Sequence, residues 1–219
     1  MVFIAVIFLS AGIGLKDFKL DASSDALVME GDEAFRIYRD TGEIFGNSDF
    51  LIITFTPESD LFSSQSLAFI EKLTNRLEKL PSVQSVLSIL DAPIFFQPKV
   101  PLADLMDNLK TLKTKDIDFD AAKEEILNNP VYSELIISPS GKTTAIQITI
   151  QENPLYRDLI RERYELLDTS ILSINQKNQL RNINQQISKI NDEEAEQRAD
   201  LINQIRKILL QNSDQGTLF

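Results

Sequence analysis

Among the stretches whose residue types could do chemistry, the first to consider is SGKTT at residues 140–144. Lys-Thr after a glycine is how a phosphate-binding loop ends, where backbone amides and the lysine cradle phosphates. The full pattern needs a second glycine five residues before Gly141, and that position is Ile136, inside a predicted strand. We therefore interpret SGKTT as a hairpin turn.

The second stretch is DIDFD at residues 116–120, which matches the start of a calcium-binding loop. Such a loop needs a glycine at its sharp turn and a bidentate acid at its twelfth position. Here those positions hold Ala121 and Leu127. The stretch is better interpreted as the solvated start of a helix.

Two further groups of acids could serve as carboxylate sites. Asp21 and Asp25 in DASSD could form an acid/base pair, but no partner nucleophile or base can be named, so capping and turn formation are the default. The second group consists of Asp192, Glu193, Glu194 and Glu196. Acidic residues are favoured at the positive N-terminal end of a helix dipole, so we interpret this group as the start of a helix.

The chain has no His and no Cys, which removes thiolate nucleophiles, imidazole or thiolate metal sites and the commonest general base near neutral pH. We therefore predict that it is not an enzyme, with no catalytic, cofactor-binding or metal-binding residue, and the sequence does not identify substrate-binding residues. The net charge is -11 and no Lys/Arg-rich run is present, which argues against a nucleic-acid partner.

The elements begin with an apolar, β-branched strand predicted at 49–57 and closed by Pro57. An amphipathic helix follows at 63–80, with Ser63 or Ser64 as N-cap and Pro81 as its stop. A second strand is predicted at 82–89. Together these elements have the length of a βαβ unit, which needs a sheet covered by helices.

Residues 91–132 are predicted to be an insert with two short helices, LADLMDNLKTL and DAAKEEILNN. A β-hairpin follows, with YSELIIS as one strand and residues 143–151 as the other. Residues 152–213 show helical spacing and are interpreted as a helical hairpin with a break at Asn191-Asp192. Residues 214–219 look like the start of a strand.

The chain opens with an uncharged apolar run from Val2 to Leu15. As a helix it would be about 21 Å long, against the roughly 30 Å of a bilayer core. A buried helix, a secretory signal peptide and the outer half of a transmembrane helix all fit residues 1–15. Residues 16–48 carry mixed charge and three glycines and are interpreted as a connector.

Read in order, these pieces resemble one family. The acidic DASSDALV entry, the FGNSDFLIITF strand, the PSVQSVLSILD segment and the closing IRKILLQNSDQGTLF are similar to the first membrane helix and first large external loop of resistance-nodulation-division (RND) transporters. The nearest branch is that of hydrophobe/amphiphile efflux and MMPL-like lipid exporters.

The resemblance implies an α+β fold: a ferredoxin-like βαββαβ porter subdomain with helical insertions, its last strand truncated, preceded by the stump of a transmembrane helix at 1–15. The core would be 49–151, with the insert at 91–132 and a helical arm at 152–213.

The same resemblance implies a porter domain in the periplasm, attached to the bacterial inner membrane, that binds and guides hydrophobic or lipid substrates for a proton-driven exporter. Its partners would be the rest of the transporter chain and further copies in a homo-oligomer. The alternative is a membrane-anchored adaptor that docks another protein through its helical arm at about 172–212.

Overall fold

The computed structural model describes residues 37, 41–42, 49–95, 109–169 and 171–219. The chain divides into two units, Met1–Asn47 and Ser48–Phe219, and the α+β fold belongs to the second. The predicted membrane-helix stump at 1–15, nearly all of the connector at 16–48 and most of the first insert helix lie outside the described residues. In the described part, no helix combines the length and apolar character needed to cross a membrane.

The described fold is α+β, with a four-stranded antiparallel sheet and four α-helices. In chain order the elements are β1 (Phe50–Pro57), α1 (Ser64–Leu77), β2 (Val83–Leu87), α2 (Phe119–Asn128), β3 (Thr144–Ile150), α3 (Pro154–Leu167), α4 (Ile174–Leu210) and β4 (Gly216–Leu218). A short 3₁₀ turn at Ile89–Asp91 follows β2, and another at Ser213–Gln215 precedes β4.

The strand order across the sheet is β2-β3-β1-β4, and every neighbouring pair is antiparallel. Because β1 and β2 both pair with β3, they run in the same direction and are joined through α1. Likewise, β3 and β4 both pair antiparallel with β1, so they run in the same direction. They are joined through α3 and α4. The sheet therefore consists of two interleaved β-α-β units.

One face of the sheet carries the main core, because strand residues alternate between the two faces. Phe55 and Ile146 on this face are fully buried, and the Phe55 ring lies 4.9 Å from the ring of Phe69 on α1. The second half of α4 joins the same core. Its contribution comes from Leu201, Ile205 and Ile208.

The helix ends agree with local capping chemistry. Ser63 caps α1 by accepting a hydrogen bond from the Ser66 amide, and Asp118 caps α2 by accepting one from the Ala121 amide. Ser173 and Gln176 form a reciprocal capping box at the start of α4. The helix start predicted at DIDFD is therefore confirmed.

Two predicted elements are wrong. The first strand of the predicted hairpin does not form over 132–138, because Glu134 has a positive φ of 69° and the Tyr132 carbonyl accepts three amides. Only its end pairs with β3, through an antiparallel bridge between Ile137 and Thr144. The predicted break at Asn191-Asp192 is absent, since α4 continues for 37 residues. Asp192, Glu193, Glu194 and Glu196 thus lie inside a helix and do not begin one.

The helix persists through this polar stretch because Asn and Asp reduce helix propensity by only about 0.7 kcal/mol each, whereas packing stabilises both flanks. Ile187 and Ile190 pack before the stretch, and Leu201 packs after it. The turn that reverses the chain instead lies between Leu167 and Ile174.

Candidate functional site

The sheet face opposite the main core carries the strand residues that alternate with those of the core. The strand register aligns its residues in four rows, and we call these residues the open face. The rows are Ser85–Thr149–Phe50, Leu87–Gln147–Ile52, Ala145–Thr54–Phe219 and Thr143–Thr56–Thr217.

No residue of the open face is charged, in a chain that is 25% charged. Four of its side chains are large and apolar, and each is about half exposed or more. Their exposed fractions are 58% for Phe50, 49% for Ile52, 50% for Leu87 and 81% for Phe219. A solvated sheet face normally carries charged as well as polar residues, so the lack of charge together with these exposed apolar side chains makes the face a candidate binding surface.

Hydroxyl and amide groups supply the polar character of the open face. Thr56 and Thr143 share a hydrogen bond with their Oγ1 atoms 2.8 Å apart, and Gln147 lies between Leu87 and Ile52 in its row. Such groups can orient a ligand without requiring that it be charged. The open face is thus suited to neutral or amphiphilic molecules with a large apolar part.

β4 forms one end of this surface. Its residues pair with β1, and beyond it the Phe219 amide and carbonyl exchange hydrogen bonds with Thr54 at 3.1 and 2.9 Å. The strand expected within residues 214–219 therefore forms, begins at Gly216 and brings Phe219 next to Thr54.

A second feature is a helical arm, which we define as α3 together with residues 174–190 of α4. Leu159 on α3 and Ile183 and Ile187 on α4 form a small core separate from the main one. At the tip, Ile171 is 86% exposed and Ile174 is 80% exposed. The outer side of α4 within the arm bears a shallow, open depression. It is lined by Lys177, Leu180, Arg181, Asn184, Gln185 and Ser188.

Hydrogen bonds within the turn occupy two backbone amides and one threonine hydroxyl of SGKTT. The Gly141 amide donates to the Ser138 carbonyl at 2.8 Å, and the Thr143 amide donates to Ser138 Oγ at 3.1 Å. The Thr144 hydroxyl donates to the Ile136 carbonyl at 3.0 Å. These bonds account for the stretch as a tight turn leading into β3.

The other acidic candidates do not converge. Asp21 and Asp25 lie outside the described residues, and Asp118 caps α2. Asp192, Glu193 and Glu196 are exposed on α4, and Glu194 is half-buried there. Throughout 49–95, 109–169 and 171–219, the acidic side chains form no group of three close enough to hold a metal ion.

One buried acid was not predicted. Glu125 on α2 is 8% exposed, and its Oε1 accepts a hydrogen bond from the Phe95 amide at 2.8 Å. The Tyr132 hydroxyl donates to the Pro93 carbonyl, and its ring stacks on Phe95 with 6.4 Å between centroids. Burial, and to a lesser degree the charge of Glu125, raises the pKa of Tyr132 to about 12.

These contacts attach residues 93–95 to α2 and to the segment after it, so we interpret the cluster as structural. A glutamate within a helical EEIL pattern carries no sequence signal for burial. Asp60 similarly joins two elements. The Phe62 amide and Lys123 both donate to its carboxylate, and these bonds lower the pKa of Asp60.

Comparison with known proteins adds no further constraint. The chain matches none of the known family models, and no curated protein is significantly similar to it.

Proposed function

We propose that this chain is the first periplasmic porter domain of a proton-driven RND exporter, in the branch that transports hydrophobic or amphiphilic molecules and lipids. In this role the domain binds and guides substrate, whereas transmembrane parts of the transporter supply the energy. The observation that carries the proposal is the uncharged open face with its four exposed apolar side chains.

The topology supports the same proposal. A strand order of β2-β3-β1-β4 with two interleaved β-α-β units is the order expected for a ferredoxin-like βαββαβ core. In this interpretation α1 is the first crossover helix, while α3 and α4 together replace the second. The segment between β2 and β3, which contains α2, is an insertion.

Simple energetics indicate how substrate would be held. A ligand that covers about 200 Å² of the open face gains roughly 5 kcal/mol from apolar burial. Association itself costs about 4 kcal/mol or more, so the open face alone binds only weakly. A second wall would roughly double the buried area, which is why we place the substrate between this domain and its counterpart in the same transporter.

The proposal includes a location. Residues 1–15 would be the outer half of the first transmembrane helix of an inner-membrane protein, with the described α+β unit in the periplasm. The absence of His and Cys from the sequence supports a binding role without catalysis.

The direct test is made on the native protein in its source cells. Membranes are fractionated, and the species recognised by an antibody against residues 49–151 is sized. An integral membrane protein several times larger than 24.8 kDa is expected. A soluble species near that mass contradicts the proposal.

The arm favours a second candidate function, a membrane-anchored adaptor that captures another protein. Deleting residues 176–211 cannot separate the two functions, because Leu201, Ile205 and Ile208 belong to the main core. The discriminating variant replaces Ile171 and Ile174 at the arm tip with serine. An adaptor loses its partner in co-purification from cross-linked cells, whereas a porter domain keeps its binding of apolar ligands.

A further inference from the structure

Gln147 lies at the centre of the open face. It belongs to β3, and in its row it has Leu87 of β2 on one side and Ile52 of β1 on the other. These two apolar side chains are each about half exposed, whereas Gln147 is half-buried between them. A polar carboxamide therefore lies in the middle of the most apolar row of the open face.

The side-chain amide of Gln147 has no hydrogen-bond partner in the part of the chain that the structure describes. The other described glutamines without a side-chain hydrogen bond are all exposed to water. They are Gln65, Gln84, Gln151, Gln185, Gln186 and Gln197. The half-buried Gln176 and Gln215 are both hydrogen-bonded within the chain. Among the described glutamines, only Gln147 is thus neither exposed nor paired.

This unpaired amide constrains what the open face can bind. It offers one kind of donor, Nε2–H, and one acceptor, Oε1. A ligand that covers Leu87 and Ile52 excludes the water that serves both atoms, and a buried amide left without partners offsets much of the gain from apolar contact. A ligand that fits must therefore place its own hydrogen-bonding group on Gln147.

The surroundings of Gln147 determine the charge of that group. No side chain of the open face is charged, so a carboxylate or an ammonium group brought there would lose water without gaining a counter-charge. A carboxylate also leaves Oε1 without a donor, and an ammonium leaves Nε2–H without an acceptor. A hydroxyl or a carboxamide has both a donor and an acceptor and carries no charge.

We propose that Gln147 recognises the head group of the ligand, and that the ligand is a neutral amphiphile with a hydroxyl or carboxamide head. Its apolar chain covers Ile52 and Phe50, which is one row further along β1 and about 8 Å from Gln147 by standard strand spacings. This inference rests on the proposed function, because it takes the open face as the binding surface. It adds the class of head group that the face accepts.

The test compares three probes that share an octyl chain: octan-1-ol, octanoate and octylammonium. At about pH 7 the last two are charged. The full chain is isotopically labelled and titrated with each probe below its solubility limit, and NMR follows the backbone amides of the open face and the side-chain amide of Gln147. Octanol should bind about tenfold more tightly than either ion and should shift the Gln147 side-chain resonance.

Substitutions at Gln147 should change the preference in a defined order. Gln147→Met removes both hydrogen-bonding atoms at similar length and should weaken octanol binding about tenfold. Gln147→Lys should prefer octanoate to octanol, and Gln147→Glu should prefer octylammonium. Gln185→Lys and Gln185→Glu are the matched controls, because they add the same charges on the exposed side of α4 and should keep the natural order. Circular dichroism checks that every variant is folded.

Three outcomes overturn the inference while leaving the open face as a binding surface. They are equal affinities for the three probes, a Gln147→Met variant that binds octanol as the natural chain does, and Gln185 variants that change the preference as strongly as the Gln147 variants. If no probe shifts any open-face resonance, the inference fails together with the surface on which the proposed function depends. Membrane fractionation tests the transport role separately, so the two failures are distinguishable.

Discussion

Arg198 on α4 and Asp49, immediately before β1, form an ion pair, with 2.5 Å between Nη2 and Oδ2. The pair lies between the two cores, after Ile190 of the arm core and before Leu201 of the main core. It therefore marks the position at which α4 leaves the arm and crosses the sheet.

Arg198→Ala should lower the free energy of unfolding by only about 0.2–1 kcal/mol, because exposed ion pairs are worth little. The two side chains are 46% and 59% exposed. Urea unfolding at low and high salt measures the effect, which should shrink as salt rises. A double-mutant cycle with Asp49→Asn supplies the control, and a coupling above about 2 kcal/mol would show that the pair holds the helix in place.

The two cores should respond differently to truncation. Leu201→Ala should destabilise the whole unit by about 2–5 kcal/mol, because Leu201 is 2% exposed in the main core. Ile187→Ala should instead loosen the arm locally, since its cluster contains only α3 and α4 residues. Hydrogen exchange by mass spectrometry separates the two patterns, and faster exchange in β1 or β3 of the Ile187 variant would contradict the division.

Tyr132 should make stability depend on alkaline pH. Its pKa is raised to about 12 from an ordinary value of 10, so the folded state binds the proton more tightly than the unfolded state. The resulting stabilisation is complete below pH 10 and is lost as pH rises towards 12. The free energy of unfolding is measured between about pH 9 and 12 for the native protein and for Tyr132→Phe. Its dependence on pH should be weaker in the variant. Identical slopes would contradict the assignment.

Two glycines should differ in their tolerance of alanine. At Gly216, with φ of 144°, a Cβ would lie 2.4 Å from the Thr56 carbonyl oxygen, so Gly216→Ala should cost more than about 3 kcal/mol and weaken the β4–β1 pairing. At Gly141 a Cβ would lie 2.8 Å from a movable methyl group of Leu127, so Gly141→Ala should cost about 1–2 kcal/mol. Denaturant unfolding measures the loss of stability in both variants. A larger loss in Gly141→Ala than in Gly216→Ala would be inconsistent with this packing.

Much of the sheet could be predicted because local signals agree with the packing. β1 and β3 are β-branched and apolar, and α1 has both a Ser cap and a proline stop, so their bounds differ from the predicted ones by at most three residues. The polar Asn191-Asp192 pair suggested a break that does not exist, because tertiary packing on both sides of a weak stretch overrides local propensity.

The open face could be predicted only in part. The strands FLIITFTP, VQSVL and TAIQITI contain no charged residue, and this signal was present in the sequence. Which residues share a face depends on the register between strands that lie far apart along the chain. Phe219 and Thr54 illustrate the limit, since only their backbone pairing brings them together.

The most direct test of the central claim compares two single-cysteine variants that carry an environment-sensitive fluorophore. Leu87→Cys labels the open face and Leu155→Cys labels α3, and the two native side chains are 50% and 55% exposed. Each labelled protein is titrated with a long-chain alcohol below its solubility limit in water. We predict a saturable shift to shorter emission wavelength at position 87 and none at position 155. Equal shifts at both positions, or a shift at position 155 alone, would contradict the open face as the binding site.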